Sequence, residues 1–257
     1  MKPVALTHRR THRGVWIGLL ILGGWAVLLQ FLLRYPLSPT DPFVYLGVLL
    51  QMHLYTGLFI TAHDAMHGVV SPNKRVNRAM GQLCAALFAF NYYPRLLRKH
   101  HEHHRWVVSD RDPDYHDGGF WAWYLSFLRQ YVTVGQIVAM AVTYNLLKLV
   151  VPMENLIVFW MLPAVLSTFQ LFYFGTYRPH RGAHAADDPH RSRSQGHNHV
   201  WAFLSCYFFG YHHEHHAYPY LPWWRLPAAK ARVGARQAVA TTGTGVVGAP
   251  PRAERAE

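Results

Sequence analysis

Histidines recur in three short boxes whose spacing is typical of metal ligands. His63 and His67 stand four residues apart, and the run His-His-Glu-His-His occurs twice, at 100–104 and at 212–216. On a helix, residues at i, i+3 and i+4 lie on one face, so each run can present three imidazoles together. The alternative is an exposed basic patch that binds metal adventitiously. Three separate boxes at helical spacing argue against it and predict a built metal site.

The number of imidazoles favours two metal ions over one. A tetrahedral zinc takes four ligands, whereas two ions of higher coordination number would use eight or nine. Imidazole suits zinc, copper, iron and nickel, so the count, together with the membrane setting described below, favours two irons. The spacing selects eight ligands: His63, His67, His100, His103, His104, His212, His215 and His216.

One histidine of each run is left over by this spacing. We interpret His101 and His213 as supporting residues, and the reverse assignment within each run stays open. Metal-bound histidines usually donate their second nitrogen to a carboxylate or carbonyl group. Asp64, Glu102 and Glu214 are adjacent to ligands and could take that role. Adjacent helical residues point about 100° apart, so each carboxylate could equally face solvent.

The remaining histidines and the aromatic clusters have ordinary interpretations. His53 is expected to be a packing residue, and His190, His197 and His199 are expected to be solvated. The aromatic stretches 120–124 and 222–224 are typical of residues at a membrane interface. The more specific alternative is that they line an apolar substrate tunnel.

Composition places the chain in the membrane class. Of 257 residues, 51% are hydrophobic and 15% aromatic. The runs 15–33, 43–62 and 156–177 carry no formal charge, and a further apolar run lies between Arg129 and Lys148. Because about 20 apolar residues cross a hydrocarbon core, we predict an all-α polytopic fold with about four spans. Pro163 is expected to kink the last span without ending it.

The distribution of charge predicts the orientation of the spans. Of the 25 Lys and Arg residues, 22 lie in the amino-terminal segment, in 63–119 or in 178–257, all on one side of a four-span topology. The positive-inside rule makes this side cytoplasmic, with both termini and all three boxes. The net charge of +12 therefore reflects topology, and no nucleic-acid partner is expected. We predict a protein of the bacterial inner membrane in contact with lipid.

The sequence also predicts the domain organisation. Residues 1–237 form one membrane domain, in which the shorter apolar run 79–93 is an interfacial or re-entrant helix. The tail 238–257, rich in Ala, Thr, Gly and Pro, is expected to be disordered. Cys84 and Cys206 are far apart in predicted cytoplasmic segments, which makes a structural disulfide unexpected.

These motifs resemble the membrane fatty-acid-desaturase and hydroxylase superfamily, whose boxes HxxxH, HxxHH and HxxHH surround a di-iron centre. Within it, the chain is most similar to the β-carotene ketolases, the carotenoid 4-oxygenases. Departures are His53, the His197–His199 pair and Phe208, where a histidine is common; they bear on substrate preference more than on the metal site. The stretches that carry the resemblance are 57–68, 98–104, 111–116, 172–181, 206–216 and 222–226.

The resemblance implies a cofactor, a reaction and further site residues. His180 becomes a ninth ligand, and Asp112, Asp114 and His116 join the supporting candidates. Two Fe²⁺ ions would activate O2 and oxidise C4 of the β-ionone ring of β-carotene twice, and loss of water would leave a ketone, as in echinenone and canthaxanthin. The sequence has no nucleotide-binding glycine fingerprint. Electrons are therefore expected from a soluble carrier such as ferredoxin.

The sequence leaves three alternatives open. A carotenoid ring 3-hydroxylase and an acyl-lipid desaturase would share the metal site and differ in the cavity. A histidine-rich metal transporter is a different class of protein. Transporters place ligands near the bilayer midplane, whereas these boxes lie at the ends of the predicted spans.

Overall fold

The structure is a computed structural model that describes residues 11–232, and the described part is helical without strands. This confirms the predicted all-α class. The predicted disordered tail, 238–257, lies outside the described residues. The helices are α1 (Arg13–Leu32), α2 (Pro42–Met66), α3 (Lys74–Leu87), α4 (Tyr93–Trp106), α5 (Phe120–Tyr131), α6 (Val134–Leu147), α7 (Met153–His180), α8 (His199–Cys206) and α9 (His212–Ala217).

Three of these helices, α1, α2 and α7, are long and apolar enough to cross a membrane. The pair α5 and α6 reaches that length together but is bent by 84°. The bend has a local cause, because Thr133 and Gln136 form a capping box that starts a new helix. The protein is therefore an integral membrane protein, and residues 11–232 contain three candidate spans, or four if the bent pair counts as one.

Helix α2 is the central element of the bundle. It begins at the Asp41 cap, where the side chain accepts a hydrogen bond from the N–H of Phe43, and Pro42 occupies the first turn. In its second half, from Tyr55 to Met66, residues on all faces are buried, including Leu58 and Ile60. It packs against α1, α3 and α7, and its last turn carries the first histidine box.

Helix α7 continues past two prolines. Its segments Leu156–Met161 and Tyr173–Tyr177 are π-helical, and each is followed within two residues by a proline, Pro163 or Pro179. A π turn shifts the backbone hydrogen bonds by one residue and accommodates a ring that lacks an N–H donor. The helix consequently reaches His180 at its last residue.

The predicted interfacial helix begins earlier than expected, at Lys74, because the side chain of Asn73 accepts hydrogen bonds from the N–H groups of Arg75 and Val76. It ends at Leu87, before Ala89 and Phe90 adopt positive φ angles of 54° and 55°. Helix α4 follows, and its second half carries the His-His-Glu-His-His run at 100–104.

Candidate metal centre

The fold brings all nine predicted histidine ligands to one place. The first box lies at the end of α2, the second on α4, His180 at the end of α7 and the third on α9. Each of these helices delivers its histidines in a terminal turn or on a single face. Helices from four parts of the chain therefore share one cluster.

Four histidines form the first group. His63, His67, His100 and His215 each offer one ring nitrogen, and these four atoms lie within 4.8 Å of one another. The Nε2 atoms of His67 and His100 approach to 2.6 Å. We call this set group one.

The second group is buried more deeply. His103, His180, His212 and His216 again place four ring nitrogens within 4.8 Å of one another. The Nε2 atom of His216 lies 3.2 Å from that of His103 and 3.0 Å from that of His212. We call this set group two.

His104 lies between the groups. Its Nε2 atom is 3.0 Å from Nε2 of His215, a member of group one. Its ring stacks on that of His216, a member of group two, with centroids 4.2 Å apart. His104 therefore contacts both groups.

Burial favours the neutral imidazole, which is the form that binds a metal. Desolvation lowers the pKa of His100, His212, His215 and His216 well below the usual value, and the neighbouring imidazoles lower it further. Desolvation likewise lowers the pKa of His104 to about 2.

His103 differs from the other histidines of the second box because carboxylates face it. Burial by itself would lower its pKa, but the charge of Asp114, the hydrogen bond with Asp112 and the charge of Asp112 outweigh burial and raise it. The Nδ1 atom of His103 lies 2.9 Å from Oδ1 of Asp112 and 3.9 Å from Oδ2 of Asp114. Asp114 in turn accepts a hydrogen bond from the Tyr131 hydroxyl. This arrangement orients the Nε2 atom of His103 toward the centre of group two.

His180 is held by the backbone. Its Nδ1 atom lies 2.9 Å from the carbonyl oxygen of Arg191 and donates to it, which leaves Nε2 as the free ligand atom. A carbonyl partner fixes the tautomer of a metal-binding histidine in the same way as a carboxylate does.

Unpartnered buried nitrogens test whether this donor set fits a metal pair. Nε2 of His63, Nε2 of His180 and Nδ1 of His212 are buried without a hydrogen-bond partner in the described part of the chain. Buried polar atoms are seldom left unpaired, because the loss of hydration is costly. Metal ions at the two groups would satisfy Nε2 of His63 and Nε2 of His180, so the residues present fit two ions. His212 directs its Nε2 atom into group two, and its Nδ1 atom lies on the other side of the ring.

The acidic residues adjacent to ligands have different surroundings. Asp64 is buried with Oδ1 3.8 Å from Nδ1 of His63, and its Oδ2 accepts a hydrogen bond from the N–H of Trp223. Glu214 is buried and accepts a 2.5 Å hydrogen bond from Ser194. Glu102 is half-exposed and lies 4.0 Å from Arg98.

The supporting histidines lie outside the two groups. His101 is exposed. The Nδ1 atom of His213 lies 3.1 Å from the carbonyl oxygen of Ser192. His116 accepts a hydrogen bond from the N–H of Gly118 in the loop before α5.

A cavity of about 300 Å³ adjoins the histidines. His63, His100, His103 and His212 line one end of it. Most other lining residues are apolar and come from α2, α4, α5, α6 and α7, with Asp114 as the one acidic lining residue among those described. An apolar molecule in this cavity would lie directly against both histidine groups.

Comparison with known proteins identifies the family. The fatty acid desaturase family model matches residues 40–154 and 129–243. The chain belongs to the fatty acid desaturase family. This confirms the predicted superfamily, and the two histidine groups are consistent with the di-iron site expected for it.

The similar proteins within this family are named as ketolases. A zeaxanthin 4-ketolase of Chlamydomonas reinhardtii is 40% identical over 238 residues, which are 89% of this chain and 53% of that protein. A beta-carotene ketolase of Paracoccus sp. (strain PC1) is 43% identical over 185 residues, 70% of this chain and 76% of that protein. A beta-carotene 4-ketolase 3 of Haematococcus lacustris is 41% identical over 192 residues, 70% of this chain and 60% of that protein.

The chain thus spans about half the length of the Chlamydomonas protein and about three quarters of the Paracoccus protein.

Several residues around this desaturase-family centre were not predicted from the sequence. They include the carbonyl group of Arg191, the Ser194 hydroxyl, Tyr131 and Lys230, whose Nζ atom lies 3.4 Å from Glu214. Each is far in sequence from the residue it contacts and belongs to no recognisable motif. Asp112, by contrast, was predicted as a supporting residue, because it lies in the stretch 111–116 that carries the family resemblance.

Proposed function

We propose that this protein is an O2-dependent carotenoid 4-ketolase that uses two iron ions. The central supporting observation is that two groups of four buried imidazoles adjoin one apolar cavity. The names of the similar proteins supply the substrate class. In this proposal, the C4 methylene of a β-ionone ring is converted to a ketone, giving echinenone and then canthaxanthin from β-carotene.

The nine histidines would hold the metal pair. Group one would bind one ion, group two the other, and His104 would lie beside both. When bound, the irons would supply the activation of O2 and the oxidation of the C–H bond. The protein's role is to position the ring.

The reaction balances in two equal steps and a dehydration. Each step takes one O2, two electrons and two protons, inserts one oxygen atom into a C4–H bond and releases one water. The second step gives a geminal diol, which loses a further water to leave the ketone. A carrier protein must therefore deliver four electrons per ketone, and we propose a ferredoxin-like partner.

The residues that line the cavity direct the ring to the histidines. Phe59, Phe209 and Leu171 enclose it with apolar surface and exclude water near the centre. Gly175 makes room for the ring of Phe209, because a Cβ atom there would lie 2.0 Å from its Cε1 atom. The ring of Phe209 is in edge contact with those of His63 and His212, at centroid distances of 4.9 and 5.3 Å. Gly175 therefore sets the width of the cavity beside the metal site.

The placement in the cell is part of the proposal. We propose a bacterial inner membrane protein, and the positive-inside rule supports a metal site on its cytoplasmic side. A soluble carrier could reach the site there. We propose residues 1–237 as one catalytic domain.

Expression in a β-carotene-producing host tests the proposal, with chromatography of the pigments. Echinenone and canthaxanthin are expected. Zeaxanthin would instead indicate a 3-hydroxylase, and unchanged carotene with altered acyl lipids a desaturase. Metal analysis of the purified protein should give two irons per chain, whereas a single zinc with unchanged pigments and lipids would favour a transporter.

A ring that already carries a hydroxyl group is a second candidate substrate. The relative from Chlamydomonas reinhardtii is named for zeaxanthin. Supplying zeaxanthin in place of β-carotene distinguishes the two, because a 4-keto derivative forms only if the cavity accepts the hydroxylated ring.

A further inference from the structure

The cavity beside the histidines extends along one face of α7. Ala164, Thr168, Leu171 and Gly175 line it at intervals of three or four residues, which is the spacing of one helical face. Thr176 lines the end near the histidines, and Val165 lines the other end. At a rise of 1.5 Å per residue, these two residues lie about 16 Å apart along the axis. The cavity is therefore elongated and leads away from the metal site.

The far end of the cavity opens to the outside of the bundle. Val132 and Val165 line the cavity and are 44% and 48% exposed. By contrast, His63, His103 and His212 line the inner end and are at most 3% exposed. The mouth consequently lies between the break that separates α5 from α6 and the side of α7.

The surroundings of this mouth are suited to lipid. Gln136 is the only buried residue of α6, although the helix is strongly apolar. Val134 and Ile137 beside the mouth are 77% and 57% exposed. Apolar surface of this extent on a membrane protein faces hydrocarbon. The mouth thus opens sideways into the bilayer.

One polar side chain holds the edge of the mouth in place. Gln136 donates to the carbonyl oxygen of Ala89 at 3.2 Å and to Oδ1 of Asn91 at 2.9 Å. Ala89 also has a positive φ of 54°, which is uncommon for residues other than glycine and indicates a constrained loop. The start of α6 is therefore tied to the loop between α3 and α4.

The cavity is small compared with a whole carotenoid. Its 300 Å³ lies at the lower end of the range of about 300–1,000 Å³ for pockets that bind drug-sized ligands. A forty-carbon polyene with a ring at each end is larger than such ligands. One ring and the adjoining part of the chain can be enclosed, and the remainder has to pass through the mouth.

We propose that the substrate enters ring first from the bilayer between Val132 and Val165, and that its second ring stays in the membrane during the reaction. The identity of this ligand rests on the proposed function. The arrangement requires a carotenoid to leave and turn round before its other ring is oxidised. A monoketone is therefore released before the diketone forms.

A bulky residue at the mouth tests this entry route. In Val165→Trp the indole would narrow the opening, far from the histidines. Leu162→Trp is the matched control, because Leu162 lies on the same helix, is 41% exposed and does not line the cavity. Each purified variant is assayed with β-carotene and with β-ionone, which carries the same ring on a short chain. Val132→Trp repeats the test from the opposite side of the mouth if Val165→Trp fails to accumulate.

We expect Val165→Trp to lower kcat/KM for β-carotene at least about tenfold through KM. The loss for β-ionone should be smaller, because both rings pass the narrowed mouth but only β-carotene leaves a polyene lying in it. Leu162→Trp should leave both values unchanged. Equal loss on both substrates, or the same loss in the control variant, would overturn the proposal.

The amount of β-carotene that copurifies with each protein separates the two proposals. Less pigment on Val165→Trp than on the parent protein is expected, and equal amounts contradict the entry route. If the parent protein retains no pigment and forms no ketone from either compound, the proposed function itself fails.

Discussion

The two identical His-His-Glu-His-His runs share one pattern of histidines and differ in the surroundings of their glutamates. In both runs, the first, fourth and fifth histidines lie in the histidine cluster, with His104 between the two groups, and the second histidine lies outside it. Glu102, on α4, is half-exposed and lies 4.0 Å from Arg98 one turn away. Glu214, on α9, is 1% exposed and contacts Ser194 and Lys230.

The difference follows from the helices that carry the runs. Helix α4 has fourteen residues with one face toward the cluster and the other exposed. Helix α9 has six residues, and segments from both sides in sequence cover it. The helical period sets which histidines converge, whereas the role of the glutamate depends on what packs against the outer face.

The largest effect is expected for one predicted ligand histidine from each of the two runs. His104→Ala removes an imidazole that lies between the two histidine groups, and His215→Ala removes one that belongs to group one. We expect each variant to lose ketone formation entirely while still inserting into the membrane, as measured by pigment chromatography and immunoblotting of membranes.

His101→Ala is the matched control for that prediction, since His101 is exposed. It should retain at least about half of the activity, because surface substitutions rarely matter. Full activity in His215→Ala, or complete loss in His101→Ala, means that the assignment of histidines within the runs is wrong.

The histidine assignment could be made from the sequence because it depends only on local helical geometry. Spacing alone placed His100, His103 and His104 together, and the same argument applied to the third box. The environments of Glu102 and Glu214 could not be predicted, because their partners differ through tertiary packing. The α5–α6 bend was likewise missed, although Thr133 and Gln136 have the spacing of a capping box.

A second prediction concerns Asp112, the carboxylate outside the 100–104 run that contacts His103. Asp112, not Glu102, lies within hydrogen-bond distance of His103. Asp112→Asn keeps an acceptor oxygen but removes the negative charge, which weakens the imidazole as a ligand. We expect iron affinity to fall about tenfold or more, within the range seen for such partners, as measured by competition with a chelator.

Two control variants make that measurement specific. Asp110→Asn changes an exposed carboxylate two residues away, and Glu102→Gln changes the carboxylate within the run. Both should bind iron with unchanged affinity. A loss in Glu102→Gln as large as that in Asp112→Asn would contradict the distinction between the two carboxylates.

A third prediction compares the two glutamates directly. Glu214→Ala leaves Lys230 and Ser194 without their partner in a buried site, which costs about 2 kcal/mol. Glu102→Ala removes an exposed pair and costs at most about 0.5 kcal/mol. Thermal unfolding in detergent should therefore show a clear decrease in Tm for Glu214→Ala and little change for Glu102→Ala. Equal decreases in Tm for the two variants would mean that the two glutamates contribute equally to stability.

A smaller effect than that of Glu214→Ala is expected for Lys230, whose side chain is 20% exposed. Lys230→Met keeps the length and apolar stem of the side chain, and Glu214 retains the 2.5 Å hydrogen bond from Ser194. The loss should be about 1 kcal/mol or less, because Lys230 itself is partly solvated and the buried carboxylate keeps its hydrogen bond from Ser194. In the double variant Glu214→Gln and Lys230→Met, no charge of this pair remains. The decrease in Tm of this variant should therefore be smaller than the sum of the decreases in the two single variants. If the decreases in Tm simply add, Lys230 and Glu214 do not interact in a way that stabilises the fold. The hydrogen bond from Ser194 would then be the stabilising contact of Glu214.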